Sequence, residues 1–219
     1  MSMMLAYSLF NIIADATYGA LAAVALWGLY CIVVIWNRVK QKRFRNEAQQ
    51  DAFIEDVEQM LNAGDFDGVT EYCEGDTRAL PQMIDMAVSN RQRGLQKARK
   101  FMMDRFQRDV MSDLDYRLSW VGTVIKSAPM IGLFGTVFGM MGAFESLSDP
   151  SQDVDPAKLA GDIRVALVTT ASGLAIAIPL MIMVANINIK IAKMEDLIGS
   201  GLGRFIDAFK AGLAKTGGR

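Results

Sequence analysis

Three stretches of the chain hold no formally charged residue and are long enough to cross a bilayer, and the segments around them alternate apolar and polar positions at helical spacing. Residues 16–37 (ATYGALAAVALWGLYCIVVIWN) form the first run, of 22 residues. At 1.5 Å per residue it reaches about 33 Å, enough for the hydrocarbon layer. Residues 127–144 form the second run, bounded by Lys126 and Glu145, and residues 165–189 the third, bounded by Arg164 and Lys190. The third, at 25 residues, has room for tilt. Tyr18, Trp27, Tyr30 and Trp36 include aromatic rings at both ends of the first run, as an interfacial belt would place them. No basic region precedes this run and it exceeds a signal-peptide core in length, so it is expected to stay in the mature protein.

Between the first and second runs the period is that of an α-helix. Phe53, Ile54, Val57, Met60 and Leu61 share one face, and Asn62-Ala63-Gly64-Asp65 stops the segment. A short helix is expected over residues 66–73, and Pro81 opens a third that carries Met83, Ile84, Met86 and Ala87. Phe101, Met102, Phe106, Val110, Leu114 and Leu118 keep the period, and neither Pro nor Gly interrupts the chain between Leu95 and Val121. A long helix should therefore lead into the second run. After the third run, Ile198, Leu202, Phe205, Ile206, Phe209 and Leu213 predict a matching amphipathic extension. Near the start, Leu5, Phe10, Ile12 and Ile13 predict a short amphipathic segment lying on the membrane.

Lys and Arg placement gives these runs a direction. Residues 1–15 contain none, whereas Arg38, Lys40, Lys42, Arg43 and Arg45 follow the first run. The next connection is acidic, with Glu145, Asp149, Asp153, Asp155 and Asp162 against Lys158 and Arg164. Lys190, Lys193, Arg204, Lys210, Lys215 and Arg219 follow the third run. The chain then divides into a periplasmic amphipathic segment (1–15), a first span (16–37), a cytoplasmic helical domain (38–126), a second span (127–144), a periplasmic loop (145–164), a third span (165–189) and a cytoplasmic C-terminal helix and tail (190–219). The expected class is an all-α integral membrane protein with long cytoplasmic helical extensions.

Composition narrows the chemistry. The chain has no His, which removes the commonest general base and metal ligand, and no nucleophile–base pair or phosphate loop is visible. Neither an enzyme, a metal site nor a cofactor is expected. Cys31 and Cys73 stand 42 positions apart and make no disulfide framework. The basic cluster at 38–45 is explained as a topology anchor, without nucleic acid.

Within the second run Gly132, Gly135, Gly139 and Gly142 mark one helix face, which permits close helix approach in lipid. Thr136 sits beside that stripe, in line with Pro129 and Ala143. Within the third run Ala166, Thr170, Gly173 and Ala177 form another small face, Thr169 and Ser172 add hydroxyls, and Pro179 removes a backbone donor midway. Intramembrane hydroxyls bond to carbonyls one turn back, glue helices together, or line a pore, and spacing alone leaves packing and pore-lining both open. No charged residue lies inside any of the three runs. If the protein conducts ions, the charge must come from a partner.

Ala128-Pro-Met-Ile-Gly-Leu-Phe-Gly-Thr-Val-Phe-Gly-Met-Met141, followed by Thr169-Thr-Ala-Ser-Gly-Leu-Ala-Ile-Ala-Ile-Pro179, resembles the MotA/TolQ/ExbB proton-channel family, and most closely its ExbB/TolQ branch. The resemblance covers about residues 10–210 and is specific in the second and third spans. It implies a homo-pentameric ring in the bacterial inner membrane around a dimer of an ExbD/TolR-like partner, whose single span carries an Asp that relays protons. It further implies that proton motive force drives a TonB- or TolA-like protein in outer-membrane transport or envelope maintenance. The family's pore-facing threonines match Thr136 and Thr170, with Thr169 and Asp162 as weaker additions. One position departs from the family: a Glu frequent five residues before the third-span threonine is Val165 here. That leaves Na⁺ coupling open, as it does a motor with another task (gliding, secretion, defence) and a non-conducting scaffold.

Overall fold

Most of the chain's Gly and Pro residues lie within helices, and only a few of them mark where a helix ends. The computed structural model describes residues 2–91, 95–147 and 156–216, and among them the regular structure is entirely helical. The elements are α1 (Ser2–Lys42), α2 (Glu47–Ala63), α3 (Phe66–Cys73), α4 (Ala79–Ser89), α5 (Leu95–Phe106), a π-helical turn (Gln107–Met111), α6 (Ser112–Leu147) and α7 (Pro156–Thr216). α2 stops at Gly64, whose φ of 83° is open to glycine, and the Gly64 and Asp65 amides return to the Leu61 and Met60 carbonyls. Asp65 then caps α3 by accepting from the Gly68 amide at 2.9 Å.

Among the described residues, three helices are long and apolar enough to cross a membrane. Several elements run past their expected limits. The segment at 1–15 is not a separate helix: Ser2–Lys42 is one element, because neither Pro nor Gly separates residues 2–15 from the first span. The Leu5, Phe10 and Ile13 side chains lie outside the described residues. α7 starts at Pro156, nine residues before Val165, with Pro at a position suited to a first helical turn. It continues through the third span to Thr216, so the span and its extension are a single 61-residue helix. Of the expected outer loop, residues 148–155, with Asp149, Asp153 and Asp155, lie outside the described residues. The long helix expected before the second span is broken into a π turn over Gln107–Met111.

The chain separates into two units, the first made of Met1–Val33 and Leu118–Ala185, the second of Val34–Arg117 and Asn186–Arg219. In the first, Thr17, Leu21, Cys31 and Ile32 of α1, Val121, Val124, Ala128 and Ala143 of α6, and Ala166, Thr169, Ala177 and Leu180 of α7 are buried. Its outer faces carry Leu26, Met130, Leu133, Met181 and Ile182, all more than half exposed. A surface that apolar is suited to lipid or a partner rather than water.

The second unit has a side-chain core. Phe205, Phe209, Met194 and Ile187 of α7, Ile54, Val57 and Leu61 of α2, Leu80 and Ile84 of α4 and Met102 of α5 are all fully buried. Gly201 and Gly212 let α7 approach α2: a Cβ on Gly201 would meet Ile54 and Leu80, and one on Gly212 the Leu61 carbonyl. Arg204 holds Glu58 through two hydrogen bonds of 3.0 Å and reaches Asp51 at 3.3 Å. Such half-exposed pairs are each worth about 0.2–1 kcal/mol.

Candidate functional site

α6 and α7 meet through glycines, and their contact gathers three threonine hydroxyls around two backbone carbonyls. A Cβ on Gly132 would lie 2.7 Å from the Thr169 carbonyl oxygen and 2.9 Å from the Thr170 Cα. On Gly139 it would lie 2.7 Å from Ala166 Cβ, and on Gly173 it would strike the Ala128 carbonyl and the Pro129 backbone. Gly135 faces Thr169 and, on α1, Thr17. Only residues without side chains allow backbones this close, which is the usual basis of helix packing in lipid. Pro129 and Pro179 both lie within their helices.

That closeness lets hydroxyls bond across the interface. Thr136 Oγ1 donates to the Ala166 carbonyl at 3.0 Å or, within its own helix, to the Gly132 carbonyl at 3.2 Å. Thr169 Oγ1 reaches the Ala166 carbonyl at 2.7 Å and the Gly132 carbonyl at 2.9 Å. Thr170 Oγ1 reaches the same Gly132 carbonyl at 3.1 Å. Thr136 Oγ1 also lies within hydrogen-bond distance of both Thr169 Oγ1 and Thr170 Oγ1. Five oxygens therefore converge: three hydroxyls that can donate and accept, and two carbonyls that accept. The cluster holds no charge and no strong base. It can pass a proton between hydroxyls or present oxygens to a hard cation, but it cannot initiate covalent chemistry.

The three threonines are not equivalent. Thr169 is 2% exposed and Thr136 9%, whereas Thr170 is half-buried at the edge. The small face of α7 thus runs through Ala166, Thr169, Gly173 and Ala177, with Thr170 on its flank. Thr17 is a further buried hydroxyl, 4% exposed, that sequence reasoning passed over. Its spacing to Leu21 and Gly28 on α1 carried the signal. Asp162 is half-buried two turns before Thr170, and Val165 is exposed, its carbonyl accepting from the Tyr18 hydroxyl at 3.4 Å. Ser172 is half-buried.

Burial, aided by the Asp85 and Asp76 carboxylates, pushes the Cys73 thiol up to about 12, so it stays protonated at neutral pH. Among the described residues no three His, Cys, Asp or Glu side chains gather to hold a metal.

The model of the MotA/TolQ/ExbB proton channel family matches residues 76–199, more than half of the chain and including both threonine-bearing spans. The Tol-Pal system protein TolQ of Haemophilus influenzae is 34% identical over 117 residues, 53% of this chain and 47% of that protein. TolQ of Pseudomonas aeruginosa is 39% identical over 98 residues, 45% of this chain and 40% of that one. The biopolymer transport protein ExbB of Neisseria gonorrhoeae is 41% identical over 70 residues, 32% of this chain and 31% of that one. The chain thus spans less than half the length of these curated relatives. With three membrane-compatible helices it is a multi-pass membrane protein. It belongs to the MotA/TolQ/ExbB proton channel family, on the ExbB/TolQ branch.

Proposed function

We propose that the chain is the ion-conducting subunit of an inner-membrane motor of the ExbB/TolQ kind. Five copies form a ring around a dimer of an ExbD/TolR-like single-span partner, and the flow of protons through that ring energises a TonB- or TolA-like protein. The N-terminus faces the periplasm and the second unit the cytoplasm, in line with the Lys and Arg asymmetry about the spans. Thr136 and Thr170 line the conducting path, Thr169 backs them from within the helix interface, and Asp162 lends acidity to its mouth. The observation that supports this reading best is the convergence of three intramembrane hydroxyls on the Gly132 carbonyl. Each can accept one proton while donating another, and a partner carboxylate beside Thr136 and Thr170 completes a relay that hydroxyls alone cannot drive.

Na⁺ coupling is the second reading. It is favoured by the same set of three hydroxyl and two carbonyl oxygens, the hard ligands a small cation prefers. Reconstitution of the chain with its partner, under separate H⁺ and Na⁺ gradients, tests both. The Thr136→Ala, Thr170→Ala double variant should assemble and lose most flux. Unchanged flux in that variant removes the threonines from the path, and flux driven by Na⁺ but not H⁺ replaces the proton.

A further inference from the structure

Trp36 stands at the end of the first charge-free run and Lys190 directly follows the third, and the fold brings the two together. The Lys190 ammonium sits 3.3 Å from the centroid of the Trp36 ring, and Lys40, one turn further along α1, lies over the same ring at 5.4 Å. Both distances are within the range at which an aromatic face holds a cation. α1 and α7 therefore end their apolar runs side by side, at the level where hydrocarbon gives way to head groups. Partial loss of hydration, then the like charges of Arg43 and Lys40, hold the Lys190 ammonium below the ordinary lysine range. Three cations, from α7 and from the end of α1, thus gather at one place.

The chain itself does not neutralise them. Among the described residues Lys40, Arg43 and Lys190 form no ion pair with a carboxylate. The cations beside them are engaged: Arg38 faces Asp113 at 3.9 Å, and Lys42 donates to the Gln82 side-chain oxygen at 3.1 Å. Asp113 is shared in turn with Arg117. A topology anchor needs Lys and Arg after a span, but it does not need them drawn from two helices toward one ring. That gathering suits an anion whose oxygens several N–H donors can share, as those of a phosphate do. The surroundings select a phosphate carried by a lipid. Trp36 is a residue type that settles at head-group level, and Ile189, beside Lys190, is 67% exposed, an apolar surface for an acyl chain.

We propose that the adjoining ends of the first and third apolar runs form a binding site for an anionic phospholipid. Lys40, Arg43 and Lys190 hold its phosphate, and its acyl chains run past Trp36 and Ile189. Basic pockets between membrane helices take such head groups. One bound anion answers cations of both segments and so ties the end of α1 to α7. The inference needs only that these runs cross a bilayer, and is independent of the ion path and of the partner.

Trp36 reports on the site directly, since with Trp27→Phe and Trp120→Phe it is the one indole left in the full-length chain. That chain, in nanodiscs of phosphatidylcholine, is titrated with phosphatidylglycerol brominated high on its acyl chains, and separately with phosphatidylcholine brominated alike. Bromine quenches an indole only on close approach, so the ratio of the two curves gives the preference for the anionic lipid beside Trp36. That ratio should be tenfold or more, and Lys190→Gln should lower it roughly fivefold, the share of one basic residue at a membrane surface. Lys190→Arg should keep it, and the Lys190→Gln homo-oligomer should keep its size. Arg38→Gln with Arg45→Gln removes two charges outside the trio and should leave the ratio within about twofold, because exposed charges are screened. Equal quenching by the two lipids, or a ratio unchanged in Lys190→Gln, overturns the proposal. So does an equal fall in the Arg38→Gln, Arg45→Gln chain, which would mean a diffuse surface charge and no site. Glycerol phosphate in solution should not relieve the quenching; if it does, the site takes a soluble phosphate and the lipid is ruled out. A Lys190→Gln chain that keeps its ratio but loses its homo-oligomer would assign the cations to a neighbouring copy.

Discussion

In the first unit the closest approaches pass through atoms with no side chain in the way: Gly132 against the Thr169 carbonyl, Gly173 against the Ala128 carbonyl, Gly139 against Ala166. The second unit has such approaches too, at Gly201 and Gly212 of α7, but its core is otherwise filled by large side chains, with Phe205 and Phe209 stacked at 5.3 Å and Phe66 edge-on to Phe209 at 5.9 Å. The difference follows from the solvent each faces. In water, burying a Phe or Leu is itself favourable, so a core is built from the largest apolar groups that fit. In lipid an apolar side chain gains little by turning inward, and helices associate through close contact and through hydroxyls that bond to carbonyls. The first unit accordingly sets Gly, Ala and Thr where α6 meets α7 and turns Leu26, Met130, Leu133, Met181 and Ile182 outward, although Leu21, Ile32, Val121, Val124 and Leu180 are buried in it.

The largest expected effect that would break this contrast lies in the second unit. Phe205 is fully buried, and Phe205→Ala should cost about 3–5 kcal/mol, through lost transfer energy and the cavity left behind. The measurement is hydrogen exchange of the reconstituted protein, with amides of α2 and α4 losing protection while those of the spans keep it. Equal loss in the spans would mean that the two units do not unfold separately.

Next in size is the smallest substitution possible in the first unit. Gly132→Ala adds one methyl group, yet it meets backbone atoms of Thr169 and Thr170, which cannot rotate away as a side chain can. A cost of about 1–3 kcal/mol is expected, read as a lower thermal midpoint in nanodiscs. Gly199→Ala is the control on α7: nothing lies within 4 Å of its added methyl, and relief of the glycine penalty should stabilise by about 0.5–1 kcal/mol. If the two alanines behave alike, close helix approach is not what holds the spans.

How much of this was legible beforehand depended on which signal carried it. The three spans and the helix over Phe66–Cys73 were readable, because run length, period and the Asn62–Asp65 stop all act locally. Helix ends in the membrane were less so: charge marked expected boundaries that the backbone of α1 and α7 runs straight through, past the glycines within them. The threonines stood out by their motif, but which of them turns into the contact between α6 and α7 did not. Thr169 and Thr170 are adjacent, so one must turn inward and the other toward the flank, and only the packing of α7 on α6 decides which. Phe101 and Met102 pose the same choice, and there Met102 is buried and Phe101 exposed.

The finest test of the contrast replaces a hydroxyl by a methyl of the same size. Thr169→Val keeps the β-branched shape that fills the interface but removes the donor serving the Ala166 and Gly132 carbonyls. In water-soluble cores such a loss strands buried acceptors and costs the full desolvation of each. Here the stranded groups have other partners, because Thr136 still reaches both carbonyls and Thr170 reaches that of Gly132. The expected loss is therefore about 0.6 kcal/mol and no more than about 1.7, the range for hydrogen bonds between membrane helices. Thr169→Ser restores the donor but gives up the methyl, and Thr169→Ala gives up both. Thermal midpoints of the three variants in nanodiscs separate the contributions. If shape governs, Val retains the most stability and Ser falls with Ala; if the hydroxyl governs, Ser stands above Val, and the spans would be held by polar glue more than by close packing.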